Sequence, residues 1–244
     1  MDTNLFKKAW FGLCIKGARE LEEENTYDKF SYEELPPIRK DLTIDFSWLP
    51  PFISGHELIY PGMQSMEDSR IKDSNRGVDF GEKLNRLEKE LNDYSISLPN
   101  EIKIFFTTKT INSRIRSTTD NYFELSDYVE VIKDVETFYL IHFMSDSQYC
   151  LLWYICFDQK GNHFIGASTN LYGHEKNNNL YDDEGEEESC DFKPKIGYYC
   201  AENFLEFIYR YNIEQRIWFK TRWFRAELTR AEKDYIQHYL ELNK

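Results

Sequence analysis

The stretch from Thr137 to Ser168 constrains the fold more than any other part of the chain. It reads TFYLIHFMSDSQYCLLWYICFDQKGNHFIGAS. Three apolar, aromatic and β-branched runs are separated by two polar turns, at residues 145–148 and 158–161. That is the pattern of consecutive antiparallel strands. In the first run Tyr139, Ile141 and Phe143 alternate with Leu140, His142 and Met144. The second, Tyr149 to Phe157, is apolar at almost every position. A strand apolar on both faces must be covered on both, so this one is expected in the interior of the sheet. A long helix pattern at 201–219, AENFLEFIYRYNIEQRIWF, offers such cover. The fold class expected is therefore α+β, a twisted antiparallel sheet packed against helices.

A chain of 244 residues has room for a sizeable core, and 41% hydrophobic with 16% aromatic residues argues against global disorder. The net charge of −13 disfavours attraction to nucleic acid or anionic lipid. If a charged partner exists, it should be basic. The apolar run near Lys7 and Lys8 is too short for a signal peptide, and no run of membrane-spanning length occurs. Cytoplasmic residence is expected. Five cysteines, an odd number with no CxxC pair, then read as reduced thiols. Cys150 and Cys156 are expected on one strand face. A zinc site would call for tighter His and Cys clustering, so no cofactor or metal is expected.

Phe6, Ala9, Trp10, Leu13, Cys14 and Gly17 fall at helical spacing, which predicts an amphipathic helix over 4–24. Residues 25–76 read as irregular, with ELPPI and WLPPF as surface loops packed on the core by Trp48 and Phe52. The polar stretch from Tyr60 to Gly77 reads as a linker or mobile loop. Residues 1–79 as a whole are expected to be an extension packed on a core domain at 80–244. Phe80, Leu84, Leu87 and Leu91 form a helix stripe; Pro99 suits the first position of a second helix carrying Ile102, Phe105 and Phe106. Residues 107–121 read as loop, and YFELSD and YVEVI as short strands. Phe204, Ile208, Tyr211, Gln215 and Trp218 follow one helix face. Thr229 and Glu232 fit a capping box for a last helix through about Leu242.

Residues 170–197 lack hydrophobic periodicity, and seven of the ten residues 182–191 are acidic. Such a block stays solvated, and 176–191 are expected to be mobile. Asp182, Asp183, Glu184, Glu186, Glu187 and Glu188 are the candidate partner-binding residues, since they would steer a basic protein toward this surface. The plainer reading is a solvated loop. The spacing does not suit an EF-hand. His142, Asp146, Ser147 and Cys150 lack any nucleophile motif; turn chemistry explains the middle two, and a local hydrogen bond on the sheet explains His142. Trp153 and Trp218 read as core, while Trp223 and Phe224 lie among arginines with less certain burial. Arg216, Lys220, Arg222, Arg225 and Arg230 are expected to pair with acidic segments of the chain itself.

The segments LNRLEKELNDYSISLPNEIKIFF, FYLIHFM, CLLWYICF, HFIGAS, YYCAENFLEFIYRYNIEQRIWF and TRAEKDYIQHYL, in this order, resemble the SUKH superfamily over about residues 80–242. That superfamily includes Smi/Knr-type cell-wall regulators and bacterial toxin-immunity proteins. One departure is TTKTINSRIRSTTDN, where the family has a short Asn/Gly-rich turn. The resemblance implies binding rather than catalysis, with no catalytic residue set to carry over. The leading expectation is a cytoplasmic immunity protein that neutralises a nuclease-type toxin by binding its basic domain. The alternatives are a non-catalytic adaptor or scaffold and, behind it, an enzyme of unrecognised type. No nucleic-acid or membrane partner is expected.

Overall fold

The computed structural model describes residues 6–13, 27–51, 80–115, 117, 121–133, 136–174, 197–224 and 226–241. The strands are β1 (Lys7–Leu13), β2 (Tyr27–Ser31), β3 (Tyr122–Phe123), β4 (Glu130–Lys133), β5 (Thr137–Ser145), β6 (Leu152–Phe157), β7 (His163–Ser168) and β8 (Tyr198–Ala201). The helices are α1 (Gly81–Asp93), α2 (Asn100–Thr107), α3 (Lys109–Asn112), α4 (Phe204–Trp218) and α5 (Arg230–Glu241). Among the described residues the strands join one sheet in the order β2-β1-β8-β7-β6-β5-β3, with β4 also pairing β5. The fold is α+β, and the sheet is antiparallel except where β1 runs parallel to β8.

Strand β6 is buried at every position and lies between β5 and β7, as its two-sided apolar sequence predicts. Trp153, Ile155 and Phe157 join the larger core beneath the helices, with Phe105, Phe106, Phe204 and Phe207. Leu152, Tyr154 and Cys156 point the other way. They meet Phe138, Leu140 and Phe164, covered by Phe6, Tyr32 and Tyr172. One face of the sheet is thus roofed by helices and the other by connecting segments.

Several expectations are corrected. The helix predicted over 4–24 is strand β1 across Lys7–Leu13. Its apolar spacing fits either element, and pairing with β2 and β8 decides for the strand. Residues 27–31, expected to be irregular, form β2. Ala201, the first residue of the predicted helix, instead ends strand β8, which pairs with β7; the helix begins after Asn203, whose side chain accepts from the Glu206 amide. Residues 109–112 of the predicted loop make the short helix α3. Pro99 sits just before α2 rather than inside it. Strand β6 starts at Leu152, because Tyr149 has φ of 55° and belongs to the preceding turn. Cys150 is therefore exposed in that turn and does not share a strand face with the buried Cys156.

Strand β1 and helix α5 are tied to the core by buried polar groups. Glu214 of α4 accepts from Trp10 Nε1 at 2.8 Å, the Leu13 amide at 3.1 Å and the Tyr235 hydroxyl at 2.8 Å. Arg210 donates to Pro36 O at 2.7 Å and to Glu206 at 2.9 Å, and Glu206 also receives the Tyr32 hydroxyl. Glu232 and Thr229 form the capping box read from the sequence. Glu232 also holds Lys220 at 2.7 Å and Arg216 at 3.1 Å, so these two cations pair internally as expected.

Candidate functional site

The second face of the sheet carries the densest group of chemistry-bearing side chains. A bulge in β5 creates it. His142 pairs Tyr154 while Met144 pairs Trp153, so Phe143 is the extra residue. Phe143 and Met144 both go to the helix-covered core, and His142 stays on the opposite face, fully buried. Its Nε2 lies 3.0 Å from Met144 O and 3.0 Å from Ser145 Oγ. This is the local hydrogen bonding expected for His142. Tyr154 lies beside its ring, with centroids 5.1 Å apart.

Two connecting segments complete the group. Glu124 follows β3, and its Oε1 accepts from Ser145 Oγ and lies 3.7 Å from His142 Nδ1. His174 comes from the segment after β7. That segment crosses the sheet and is fastened at several points. Tyr154 OH donates to Asn170 O at 2.7 Å and accepts from the Tyr172 amide at 3.1 Å. Gly173 O receives the Asp127 amide at 2.6 Å and the Tyr128 amide at 3.2 Å. Gly173 has φ of +77°, and a Cβ there would stand 2.8 Å from Ser126 Cβ and 2.9 Å from Tyr128 O. Only glycine combines that conformation with so close an approach. The result places His174 Nε2 2.8 Å from His142 Nδ1, with His174 Nδ1 3.5 Å from Asp127 Oδ2. Lys83 pairs the same carboxylate at 2.9 Å.

Glu124, His142 and His174 each offer one ligand atom, all within 4.8 Å of one another. Burial pushes the His142 imidazole down to about 3, with His174 and Lys83 adding to the effect against a hydrogen bond to Met144 O. Burial also lowers His174, although Glu124 and Asp127 oppose it. Burial thus favours the neutral form of both rings, the state in which imidazole binds metals.

The six acidic candidates, Asp182 to Glu188, lie outside the described residues, as does the expected mobility of 176–191. So do Phe52, the 60–77 linker, and the side chains of Trp223 and Phe224. Asp146 and Ser147 occupy a turn in which Asp146 accepts from the Gln148 amide, and neither joins the histidine group. Sequence reading weighed His142 but missed Glu124 and His174. They lie 18 residues before it and 32 after it, so no short motif connects them. No protein-family model, curated protein or solved structure matches the chain.

Proposed function

We propose that this protein acts by binding a basic protein partner and has no turnover of its own. The charge distribution carries the reading. The chain has a net charge of −13, and seven of ten residues at 182–191 are acidic. Residues 170–173, on the approach to that block, are hydrogen-bonded across the sheet. So concentrated an acidic segment suits electrostatic capture of a cationic surface. With the SUKH resemblance, the partner is a nuclease-type toxin and the role is immunity in the cytoplasm. A Smi/Knr-type adaptor would need the same surface without a toxin. Residues 1–79 are in this reading an extension packed on the 80–244 core, supported by β1 entering the sheet and by Trp10 reaching Glu214.

The test begins with isolation of the partner from the native host by affinity capture and mass spectrometry. Association is then timed across a salt series for the parent and for a variant with Asp182, Asp183, Glu186, Glu187 and Glu188 replaced by Ser or Gln. The parent should associate faster at low salt, and the gap should close as screening rises. Equal association rates at every salt concentration would remove the acidic segment from the mechanism. A captured basic nuclease that stays active in the complex would refute the immunity role.

A further inference from the structure

We propose that Glu124, His142 and His174 form a binding site for a divalent transition metal of the zinc class. This site is separate from the acidic segment and from the partner-binding reading. The argument rests on where the imidazole hydrogens must lie. His142 Nε2 faces Met144 O, which can only accept. It also faces Ser145 Oγ, whose hydrogen is directed to Glu124. The Nε2 position therefore carries the hydrogen, and Nδ1 of the neutral ring presents a bare lone pair. His174 Nδ1 faces the Asp127 carboxylate, which also only accepts. With its hydrogen on that side, its Nε2 is bare as well; with the hydrogen on Nε2, the two rings share one hydrogen bond.

In the first arrangement two lone pairs meet at 2.8 Å, with the Glu124 carboxylate 3.7 Å from one of them. Three electron-pair donors then lie within 4.8 Å of one another, and a cation between them would remove the repulsion. In a tetrahedral zinc site with bonds of about 2.0–2.1 Å, ligand atoms stand roughly 3.3 Å apart. The 2.8 Å and 3.7 Å separations bracket that value and the third pair lies within 4.8 Å, so side-chain rotations that even out the three distances would admit the ion. Two imidazoles and one carboxylate suit zinc and its neighbours and do not suit magnesium, which prefers all-oxygen shells. The outer contacts match those of metal-bound histidines, one ring held by a backbone carbonyl and the other by a carboxylate.

The backbone supports the same reading. The β5 bulge aims His142, and the close-packed Gly173 sets the residue before His174. Glu124 and His174 retain partial exposure, with side chains 23% and 17% accessible, which leaves water a route to a fourth position. The ion would join three chain segments that are remote in sequence. It would thereby hold the stretch at 170–174 to the sheet.

The full chain, stripped with a chelator and dialysed, is titrated with zinc chloride by calorimetry, with magnesium chloride as the comparison. Cobalt(II) serves as the spectroscopic probe. The expected result is one equivalent of zinc, no competition from magnesium, and cobalt bands of a low-coordinate nitrogen–oxygen site. His174→Ala and Glu124→Gln should each weaken zinc binding by at least about tenfold, and Asp127→Asn by about 10–100-fold through loss of the outer contact. Zinc should raise Tm in the parent and not in His174→Ala. Glu124→Gln keeps the proposal testable if His174→Ala does not fold. Absence of stoichiometric zinc binding would assign the histidine pair a shared proton and overturn the proposal. Zinc binding undiminished in the variants would place the metal elsewhere and overturn it equally.

Discussion

Replacing Glu214 with Ala tests whether the buried carboxyl ties β1 to the helices. The substitution leaves Trp10 Nε1, the Leu13 amide and the Tyr235 hydroxyl without their acceptor. A buried donor without a partner costs about 1–3 kcal/mol, so three should cost about 4 kcal/mol once Tyr235 reorients. The cost depends on pH in a defined direction. Burial raises the Glu214 carboxyl from its ordinary 4.5 to about 7, against the pull of Tyr235, Trp10, Leu13 and Arg210. Because the folded value lies above the unfolded one, its stabilisation is complete below about 4.5 and is lost as pH rises through about 7. The shift corresponds to about 3 kcal/mol. The difference between parent and Glu214→Ala should therefore be about 4 kcal/mol near about pH 4 and shrink to about 1 kcal/mol by about pH 8. Urea unfolding at both pH values, followed by tryptophan fluorescence and circular dichroism, measures it. Every other titrating group is shared and cancels. A difference that stays flat or grows with pH would refute the reasoning.

Gly173→Ala should cost about 1–3 kcal/mol in urea unfolding, since the new Cβ meets backbone and Ser126 in a left-handed conformation. Gly161→Ala, with φ of +81° but open space around it, should cost only about 1 kcal/mol by the same assay. Glu232→Ala should cost about 3–5 kcal/mol, because it strands the buried Lys220 and also removes the capping box of α5. A loss below about 1 kcal/mol there would show that Lys220 swings out to water.

The strands from Thr137 to Ser168 were legible because their alternation and turns are local signals. So were α1, whose stripe repeats over three turns, and the Thr229–Glu232 cap. Strand β1 was misread because Ala9, Trp10 and Leu13 satisfy a helical period as well as a two-sided strand. What decides between them is a partner, Tyr198–Tyr199, that no local window contains. Strand β8 was misread for a related reason. Its last residue, Ala201, lies just ahead of a strong helix and inherits its apolar pattern, and only Asn203 marks the boundary. The histidine group was illegible because its geometry is made by a bulge and a crossing loop. Neither the Phe143 insertion nor the placement of His174 leaves a spacing that could be read in one dimension.

The parallel pairing of β1 with β8 also sets an order of events during synthesis. Lys7 registers with Tyr198, so β1 leaves the ribosome long before its parallel neighbour exists. At about 5–20 residues per second, the delay is roughly 10–40 s. Throughout it, β1 has only β2 to pair with, and Trp10 has no Glu214 to receive its indole hydrogen. An unpaired aromatic strand edge of that kind invites contact with other nascent chains. Slowing the ribosome between the two strands should therefore lower the soluble yield, while the finished protein, once β8 is in place, should be indifferent to how slowly it was made.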